Sequence, residues 1–514
     1  LKVLYQRIMP KKIRHDLGEY YTPDWLALHL LRLVNPELFT GTPDEAAKKQ
    51  VVEENLLRWR FLDPACGSGT FLVLIINRIK EIAQVSNIPE SETLKAILNN
   101  VVGIDLSPVA VLTARANYLL ALGELLEAPR DFPIHLPIYL ADSILTPHQK
   151  EQRTVAGGIP IKTSVEDFII PYEFIDEGKV DDLATTLEWA VENKIKESIL
   201  WEQIEKFLPE TKRTTLVKDL VIRLYHQLRQ LHDEDMNALW ARIIKNAFAP
   251  LFLRNFPFDY IVGNPPWVNW EHLPDEYRRE TAYLWERYGL AARKGANREQ
   301  FELGKKKGDL SALMTLSVAD SLLKPNARLG FVITQSLLKT GAAAGFRKFC
   351  ILQPSGSPVH LCVLHVDDMV ALQPFEGASN RTAVIILEKG KPTTYPVPYI
   401  IWLKEKRAQL TYDITLEEVM NATKHLPFEA EPVDQNDPTS PWLVRPTDLE
   451  AVRKVLGRSD YKAHEGVNTG GANAVYWVNI CCRCHGGLVR VRNITKGAKK
   501  KVDEVTKTIE PDLL

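Results

Sequence analysis

Short apolar runs alternate with helix-like stretches in the first part of the chain. Residues 51–62 form an apolar run, and a helical pattern follows from residue 71 to about residue 82. The alternation continues with a strand pattern at residues 101–104, a helical pattern at residues 108–122 and a third strand pattern near residues 138–140. Strands that alternate with helices in this way predict a parallel sheet with helices on both faces.

The pattern changes beyond residue 145. Glycines and prolines interrupt it first, and residues 180–248 then carry apolar side chains at helical intervals. Strand patterns return at residues 258–262 and again at residues 328–333. We therefore expect a helical insertion inside an α/β sheet domain.

These changes predict five regions. The two halves of the sheet domain are residues 1–145 and 251–425, and the helical insertion between them is 146–250. Five prolines fall between Leu426 and Pro446, a composition that suits an extended linker. Residues 447–514 differ in composition, with several glycines, and are predicted to form a separate region.

Composition narrows the class of protein. The 514 residues are 45% hydrophobic and 25% charged, which excludes a mainly disordered or fibrous chain. Lys and Arg together number 64, and Asp and Glu number 65, so the chain carries no global basic field. Any contact with nucleic acid must therefore come from local basic patches.

The number of cysteines and the lengths of the apolar runs predict the cellular compartment of the protein. Six cysteines are too few for a disulfide scaffold in a chain of this length, which favours a reducing compartment. No run approaches the roughly 18 apolar residues of a membrane helix, and no signal segment opens the chain. We expect a cytoplasmic protein with no membrane contact. The first residue is Leu1 rather than Met, which suggests a fragment or a processed product.

A glycine-rich loop joins the first predicted strand to the first predicted helix. It reads Asp63-Pro64-Ala65-Cys66-Gly67-Ser68-Gly69-Thr70. Its glycines let the backbone approach a ligand closely, and the helix that follows offers free N–H groups. The loop lacks the lysine of a phosphate loop, and Leu72 stands where a dinucleotide fingerprint has its third glycine. The alternative interpretation is a tight strand-to-helix turn that binds nothing.

Two acidic residues follow the next two predicted strands. Asp105 ends the second strand, where a carboxylate can accept hydrogen bonds from both hydroxyls of a ribose. Asp142 follows the third strand and is placed to accept from the exocyclic amine of an adenine. The alternative for each is an N-cap of the next helix.

The motif Asn264-Pro265-Pro266-Trp267 directly follows the strand pattern at residues 258–262. Two consecutive prolines forbid both strand pairing and helix, so the backbone leaves the sheet rigidly. The Asn264 side-chain oxygen and the Pro265 carbonyl are two fixed acceptors beside an aromatic plane, which suits a planar NH2 group. The alternative is a Pro-Pro turn capped by Asn264, with Trp267 in the core.

Together these motifs resemble those of the N6-adenine DNA methyltransferases in their gamma arrangement. That family carries a cofactor-contact motif first, which Gly18-Glu19-Tyr20-Tyr21-Thr22-Pro23 resembles here. The glycine-rich methionine loop comes next, matched by residues 63–71, and the Asn-Pro-Pro-aromatic motif follows at residues 264–267.

Three further stretches extend the resemblance. Residues 307–310 and 330–333 are similar to the middle motifs of the family, and residues 461–471 look like the start of its target-recognition domain. The large single-chain members belong to type IIG restriction-modification and phage-exclusion systems. Those members continue further, so residues 447–514 are expected to be a truncated start of the recognition region. The helical insertion departs from the family pattern.

The resemblance implies a Rossmann-like sheet that binds S-adenosylmethionine, with no metal and no covalent nucleophile. The implied catalytic residues are Asn264, Pro265, Pro266 and Trp267. The implied cofactor-binding residues are Tyr20, Tyr21, Thr22, Pro23, Asp63, Pro64, Ala65, Cys66, Gly67, Gly69, Phe71, Asp105, Leu106, Asp142 and Ser143. The implied reaction is methyl transfer to adenine N6 of a base flipped out of duplex DNA, with Trp267 stacked on the base.

The implied partners are double-stranded DNA and other restriction or defence subunits. Basic residues in 293–307 and 483–501 could hold phosphates, although solvated surface charge explains them equally well. No Pro-Asp…Glu-x-Lys nuclease site is found. The cysteines and histidine of residues 481–485 are too crowded for a zinc knuckle and are interpreted as reduced thiols.

Two other functions remain open. A protein glutamine methyltransferase could use the same Asn-Pro-Pro chemistry on a side-chain amide, but it needs neither this length nor a recognition region. A DNA-binding modification subunit with little activity alone is the second alternative, and turnover by the isolated chain separates it from an independent enzyme.

Overall fold

The computed structural model describes most of the chain and divides it into two units, Leu1–Asp448 and Leu449–Leu514. In the first unit the described residues are 22–132, 134–145, 157–162, 167–233, 253–291, 308–353, 356–375, 381–405 and 414–445. In the second unit they are the residues of three strands.

Fifteen α-helices are described in the first unit. They are α1 (Asp24–Val34), α2 (Pro36–Phe39), α3 (Pro43–Ala47), α4 (Gln50–Asn55), α5 (Thr70–Val85), α6 (Glu90–Asn100), α7 (Pro108–Leu122), α8 (Tyr172–Asp176), α9 (Val180–Glu192), α10 (Glu197–Ile204), α11 (Thr215–Asp233), α12 (Asp275–Arg287), α13 (Leu310–Ser321), α14 (Ser336–Lys339) and α15 (Leu416–Asn421).

The strands of the first unit are β1 (Phe61–Asp63), β2 (Val101–Asp105), β3 (Ile138–Leu140), β4 (Gly158–Lys162), β5 (Asp167–Pro171), β6 (Phe258–Gly263), β7 (Leu323–Thr334), β8 (Cys350–Leu352), β9 (Pro358–Asp368), β10 (Thr382–Lys389), β11 (Val397–Lys404), β12 (Thr423–Pro432) and β13 (Trp442–Arg445). The second unit contains β14 (Val478–Arg483), β15 (Val489–Asn493) and β16 (Thr506–Ile509), which form an antiparallel sheet in that order.

One sheet organises the first unit, with the strand order β13-β12-β11-β9-β10-β7-β6-β1-β2-β3 and with β8 paired to β9. Strands β3, β2, β1, β6 and β7 are mutually parallel. Strand β10 is antiparallel to β7 and to β9, so β9 runs in the same direction as the parallel strands. The α/β class and the predicted parallel sheet are confirmed. The chain order reverses at β1, which pairs with β2 on one side and with β6 on the other.

The sheet is buried on both faces, which explains the continuous apolar runs of its strands. Neighbouring residues of one strand belong to different hydrophobic clusters: Leu62 and Ile261 pack in one, and Phe61 and Val262 pack in the other. Helix α1 covers the second face closely. A Cβ atom at Gly330 of β7 would lie only 2.3 Å from Val34 Cγ2 of this helix.

The insertion has its own hydrophobic core. Helices α8 to α11 enclose it, and Phe174, Leu187, Leu224 and Tyr225 are among its fully buried side chains. The insertion was predicted as helical, but it also contains the antiparallel hairpin of β4 and β5. A hydrogen bond from Asn255 Nδ2 to the Ile175 carbonyl, at 3.0 Å, fastens it to the segment before β6.

The predicted proline-rich linker at 426–446 is wrong, because residues 426–432 and 442–445 lie in strands β12 and β13 of the main sheet. Strand β12 pairs with β11 over residues 423–430, and β13 pairs only with residues 429–432 of β12. Pro427 therefore lies where β12 has no second neighbour, and Pro432 ends the strand. Prolines are tolerated at such edge and end positions, and their number alone did not distinguish a sheet edge from a linker. The two units divide after Asp448 instead.

One described helical stretch, Pro108–Glu127, is long and apolar enough to cross a membrane by length and composition alone. Its residues Val111, Ala114, Tyr118 and Leu122 are buried in the core beside the sheet. This packing is typical of a core helix in an α/β domain.

Candidate active site

The glycine-rich loop and the Asn-Pro-Pro-Trp motif leave the sheet side by side. Strands β1 and β6 are parallel neighbours, with Leu62 opposite Ile261. Two residues after Ile261, a Cβ atom on Gly263 would stand only 2.7 Å from Asp63 Oδ1, so glycine permits this close approach. Both motifs therefore start at the carboxyl edge of the sheet where the chain order reverses, the usual ligand position in such folds.

Backbone hydrogen bonds fix the glycine-rich loop against the next strand. The Cys66 N–H donates to the Ile104 carbonyl at 2.9 Å, and the Gly67 N–H donates to Asp105 Oδ2 at 2.8 Å. Gly67 and Gly69 have φ angles of 54° and 84°, in the left-handed region that favours glycine. The loop is therefore a shaped turn whose backbone conformation depends on its two glycines.

Asp63 and Ser143 hydrogen-bond to the backbone of the glycine-rich loop. Asp63 is buried, and its Oδ1 accepts from the Ala65 N–H at 3.2 Å. Burial raises the pKa of Asp63, and the Ala65 N–H partly offsets that rise. Ser143, after β3, donates its hydroxyl to the Pro64 carbonyl at 2.9 Å. Three neighbouring strands thus contribute to one loop.

Asp105 lies at the rim of this loop. Its two carboxylate oxygens accept the N–H groups of Gly67 and Ser107, each at 2.8 Å. The alternative role as an N-cap is wrong, because Ser107 is the N-cap residue of α7 and accepts the Ala110 N–H at 3.4 Å. Burial raises the pKa of Asp105, and the backbone N–H donors oppose that rise. Leu106 beside it is 61% exposed.

Asp142 sits next to Asp105, because the Ala141 N–H donates to the Asp105 carbonyl at 3.0 Å. Asp142 Oδ1 accepts the N–H groups of Ile144 and Leu145 at 2.7 and 3.0 Å, so it caps the turn after β3. The side chain of Tyr277 also interacts with this carboxylate and opposes the rise in its pKa. Burial raises the pKa of Asp142, and these donors lower it in part.

The residues present fit S-adenosylmethionine. Among the described residues, no atom beyond Gly67 and its two chain neighbours lies within 4 Å of the position that a Cβ on Gly67 would take. Helix α5 begins without a side-chain cap, so its first N–H groups can meet the carboxylate of an amino acid. The Asp105 carboxylate beside them suits the hydroxyls of a ribose.

The Asn-Pro-Pro-Trp motif is anchored by its tryptophan. Trp267 is 9% exposed, its Nε1–H donates to the Val332 carbonyl of β7 at 3.1 Å, and its ring meets Phe375 edge-on at 5.1 Å. The edge of the Trp267 ring is therefore packed in the core, as the alternative interpretation of a core tryptophan predicts. Stacking on a flipped base stays a prediction. Asn264 is partly buried, and its Oδ1 atom is shielded from solvent.

The segment behind the motif is braced by Asp309, for which the sequence suggested no role beyond a family motif. The Leu310 N–H donates to the Val268 carbonyl at 2.9 Å, and the Trp270 N–H donates to the Gly308 carbonyl at 2.8 Å. Asp309 is buried and caps α13, and its Oδ2 accepts the Thr334 hydroxyl at the end of β7 at 2.9 Å. An acidic residue before an apolar helix is a recognisable N-cap signal.

The other implied cofactor residues have separate positions. Thr22 and Pro23 are buried at the start of α1, whereas Tyr20 and Tyr21 lie outside the described residues. Phe71 is buried in α5 as a core side chain. Cys66 is also buried, and burial raises the pKa of its thiol. That environment agrees with a packing residue, because a nucleophilic thiol needs a lowered pKa.

Several sequence-based interpretations fall on residues that the structure leaves undescribed. Residues 293–307, most of residues 484–501 and the two ligand candidates Cys484 and His485 lie outside the described residues. Within the described part of the chain no group of three or more His, Cys, Asp or Glu side chains could hold a metal ion.

The parallel sheet, the chain reversal at β1 and the paired loops define a Rossmann-like methyltransferase domain. Residues 99–355, half of the chain, match the family of the Eco57I restriction-modification methylase, and residues 40–127 match the DNA-methyltransferase domain of MmeI. The chain belongs to the Eco57I restriction-modification methylase family. No curated protein sequence shows significant similarity to it.

Three solved structures are similar to this chain in fold. A nuclease-deletion mutant of the Type ISP restriction-modification enzyme LlaGI, with a DNA substrate mimic, is 15% identical (TM-score 0.42) over 82% of this chain and 27% of its own. The Type IIL enzyme MmeI, with DNA, is 14% identical (TM-score 0.39) over 84% and 46%.

A type I restriction-modification methyltransferase subunit from Streptococcus thermophilus is 15% identical (TM-score 0.35) over 79% of this chain and 53% of its own. The chain therefore spans less than two thirds of the length of each of these three proteins.

Proposed function

We propose that this chain is a site-specific DNA methyltransferase that transfers a methyl group from S-adenosylmethionine to adenine N6 in duplex DNA. The observation that carries the proposal is the adjacency of the glycine-rich loop and the Asn-Pro-Pro-Trp motif, with Gly263 in contact range of Asp63. A methyl donor bound at the glycine-rich loop and a target amine bound at the Asn-Pro-Pro-Trp motif would therefore be neighbours. Membership of a restriction-modification methylase family supports the same reaction.

The motif supplies the chemistry that an exocyclic amine needs. Adenine N6 is a poor nucleophile because its lone pair is delocalised into the ring. The Asn264 side-chain oxygen and the Pro265 carbonyl would accept its two N–H bonds and favour a pyramidal nitrogen as the methyl group arrives. The cofactor supplies an electrophilic methyl group on a sulfonium, and the remaining gain comes from positioning for in-line attack.

Trp267 and its anchors keep that geometry rigid. The target adenine must leave the helix at a cost of a few kcal/mol, and stacking on an aromatic ring recovers about 1–3 kcal/mol per base. A ring whose edge is tied to the Val332 carbonyl and to Phe375 cannot rotate freely. It would therefore offer a fixed face to the flipped base without a large entropic cost.

The wider setting is also a proposal. Double-stranded DNA is the substrate, other restriction or defence subunits are the partners, and the protein acts in the cytoplasm within a restriction-modification or phage-defence system. Basic residues of 293–307 and, separately, basic residues of 483–501 are proposed to contact DNA phosphates.

The test is methyl transfer from labelled S-adenosylmethionine to mixed-sequence duplex DNA, comparing the unmodified chain with Asn264→Ala. We expect label as N6-methyladenine and a loss of at least about 100-fold in the variant, since each acceptor in such a site is worth roughly 10²–10³ in rate. Asn193→Ala, an exposed asparagine at the end of α9, is the matched control and should transfer normally.

The other outcomes separate the alternatives. Label in protein rather than in DNA would replace this proposal with the glutamine methyltransferase. Normal cofactor binding without transfer to DNA, restored by added modification subunits, would support the partner-dependent alternative.

A further inference from the structure

Two contacts that fix the side chain of Trp267 come from different parts of the fold. Its Nε1–H donates to the Val332 carbonyl of β7, and its ring meets Phe375 edge-on. Phe375 belongs to residues 369–375, which directly follow β9 and are called the β9 turn below. Strand β10 lies between β7 and β9, so these two strands do not pair with each other. The position of the ring therefore depends on how the β9 turn is joined to the end of β7.

Asp368, the last residue of β9, makes this connection. Its Oδ1 accepts the Val370 N–H of the β9 turn at 3.1 Å. Its Oδ2 accepts a hydrogen bond from Nε2 of Gln335, the residue that follows β7. The same oxygen accepts the Tyr399 hydroxyl of β11 at 2.6 Å. One carboxylate therefore joins the β9 turn to the end of β7, and β11 supports it.

Burial protects these bonds from competition by water. Asp368, Gln335 and Tyr399 are all buried, and a hydrogen bond to a charged acceptor is stronger than one between neutral groups. The adjacent Asp367 has separate partners, because it accepts from Trp402, which packs in a different hydrophobic cluster from Tyr399. Asp368 can therefore orient the β9 turn independently of the histidines that bind Asp367.

The β9 turn is compact, so a shift at its start reaches Phe375. The Leu372 N–H donates to the Met369 carbonyl at 3.0 Å. Met369, Leu372 and Phe375 pack with Trp267 in one hydrophobic cluster. Close-packed side chains transmit a displacement to their neighbours. A change in the orientation of Asp368 should therefore move the Trp267 ring.

We propose that Asp368 is a positioning residue for the target base, because it holds the β9 turn against the end of β7 and so fixes the face of Trp267. This inference rests on the proposed function, since it assumes that the extruded base stacks on that face. Asp368 acts through Phe375 and through the end of β7. Losing one of its donors should therefore loosen the ring and leave the cofactor site intact.

The test is Tyr399→Phe in the full chain, which removes one donor and keeps the buried ring. The kcat for methyl transfer to mixed-sequence duplex DNA should fall about fivefold to tenfold, because a bond that orients a charged group is lost. The KM for S-adenosylmethionine should stay the same. Tyr288→Phe is the matched control, since it removes a hydroxyl that donates to Asp320 Oδ2 at 3.1 Å, and it should keep kcat.

Fluorine NMR reports on the tryptophan ring directly. In the full chain labelled with 5-fluorotryptophan, the Trp267 resonance is the one that disappears in Trp267→Phe. Tyr399→Phe should shift this resonance, whereas Tyr288→Phe should leave it in place. An unmoved resonance in Tyr399→Phe would overturn the inference, and so would a shifted resonance with an unchanged kcat.

A double variant separates positioning from a general loss of stability. If Tyr399 acts through Asp368, adding Tyr399→Phe to Asp368→Ala should lower kcat no further, because residues of one network are not additive. Multiplied losses would overturn the inference, and the Tyr399→Phe measurements decide it if Asp368→Ala does not fold. If the unmodified chain transfers no methyl group, the proposed function fails instead, and the fluorine spectrum still decides whether the Asp368 network holds the ring.

Discussion

Buried and half-buried carboxylates at the carboxyl edge of the sheet fall into two groups whose pKa values shift in opposite directions. Asp63, Asp105 and Asp142, on the cofactor side, accept mainly backbone N–H groups, and burial raises the pKa of each. Asp367, near the end of β9, accepts His29 Nε2 at 2.7 Å, His365 Nε2 at 3.0 Å and Trp402 Nε1 at 2.9 Å.

The pKa of Asp367 moves the other way. Burial alone would raise it, but the hydrogen bonds and charges of His29 and His365 outweigh burial and bring the pKa well below its usual range. Its stabilisation is present above the pKa of the unfolded carboxyl group, about 3.9, and is lost only as the pH falls through the lowered value.

On the cofactor side, the pKa values of the carboxyl groups shift in the opposite direction, so the pH dependence of stability also reverses. A carboxyl group whose pKa is raised on folding stabilises the fold while it is protonated, and that contribution is lost as the pH rises through the raised pKa. The raised pKa values on the cofactor side therefore count against stability at neutral pH, whereas the lowered pKa of Asp367 counts in its favour. Acidic groups that are kept at a cost to stability are typical of a functional site, and a carboxylate enclosed by its own partners is typical of a structural one.

The largest effect on stability is expected from Asp367→Ala. The substitution leaves His29, His365 and the Trp402 N–H without their shared acceptor, and breaking a buried pair of this kind costs about 3–5 kcal/mol. The measurement is thermal and urea unfolding of the full chain. Cofactor affinity of the protein that remains folded should not change. Unfolding like that of the unmodified chain would show that the Asp367 cluster does not stabilise the fold.

Asp105→Ala should give the reverse pattern. It removes the acceptor proposed for two ribose hydroxyls, at about 1.5 kcal/mol each, so the dissociation constant for S-adenosylhomocysteine should rise about 100-fold. The melting temperature should fall much less than in Asp367→Ala, because a costly buried charge is lost together with its bonds to Gly67 and Ser107. Calorimetric titration checks the affinity, and unchanged affinity would place the ribose elsewhere.

The difference between the two groups could be predicted from the sequence only in part. Asp105 and Asp142 follow apolar strands within a βα alternation, so local patterns predict where they lie and which edge they share. The strands β2, β3 and β6 were predicted for the same reason, since strands buried on both faces are continuous apolar runs. The apolar run at residues 51–62 was only partly correct as a first strand, because residues 50–55 form helix α4 and β1 covers only residues 61–63.

The contacts that the sequence did not predict join residues that are far apart along the chain. Nothing near His29 indicates Asp367, and nothing near Tyr277 indicates Asp142, because these partners meet only after the sheet has assembled. The strands at 426–446 were missed for a different reason. Pro427 lies where β12 lacks a second neighbour and Pro432 lies at its end, positions that only the pairing reveals.

The smallest effect is expected from Thr334→Val, a substitution that tests the role of Asp309. This carboxylate shares features with both groups. Burial raises the pKa of Asp309, as on the cofactor side, yet side-chain hydroxyls of Ser311 and Thr334 enclose it, as neutral counterparts of the Asp367 partners. Removing the Thr334 hydroxyl should cost about 1 kcal/mol of stability.

If Asp309 positions the catalytic segment, the same change should lower kcat about fivefold and leave the KM for cofactor unchanged, since about 1 kcal/mol of positioning is lost in the transition state. Thr281→Val in α12, whose hydroxyl donates to the Tyr277 carbonyl at 2.7 Å, is the matched control and should keep kcat. Lower stability with an unchanged kcat would assign Asp309 to the structural group with Asp367. A lower kcat would place it with the carboxylates that serve the reaction, acting through its backbone bridge to Asn269, two residues after Trp267.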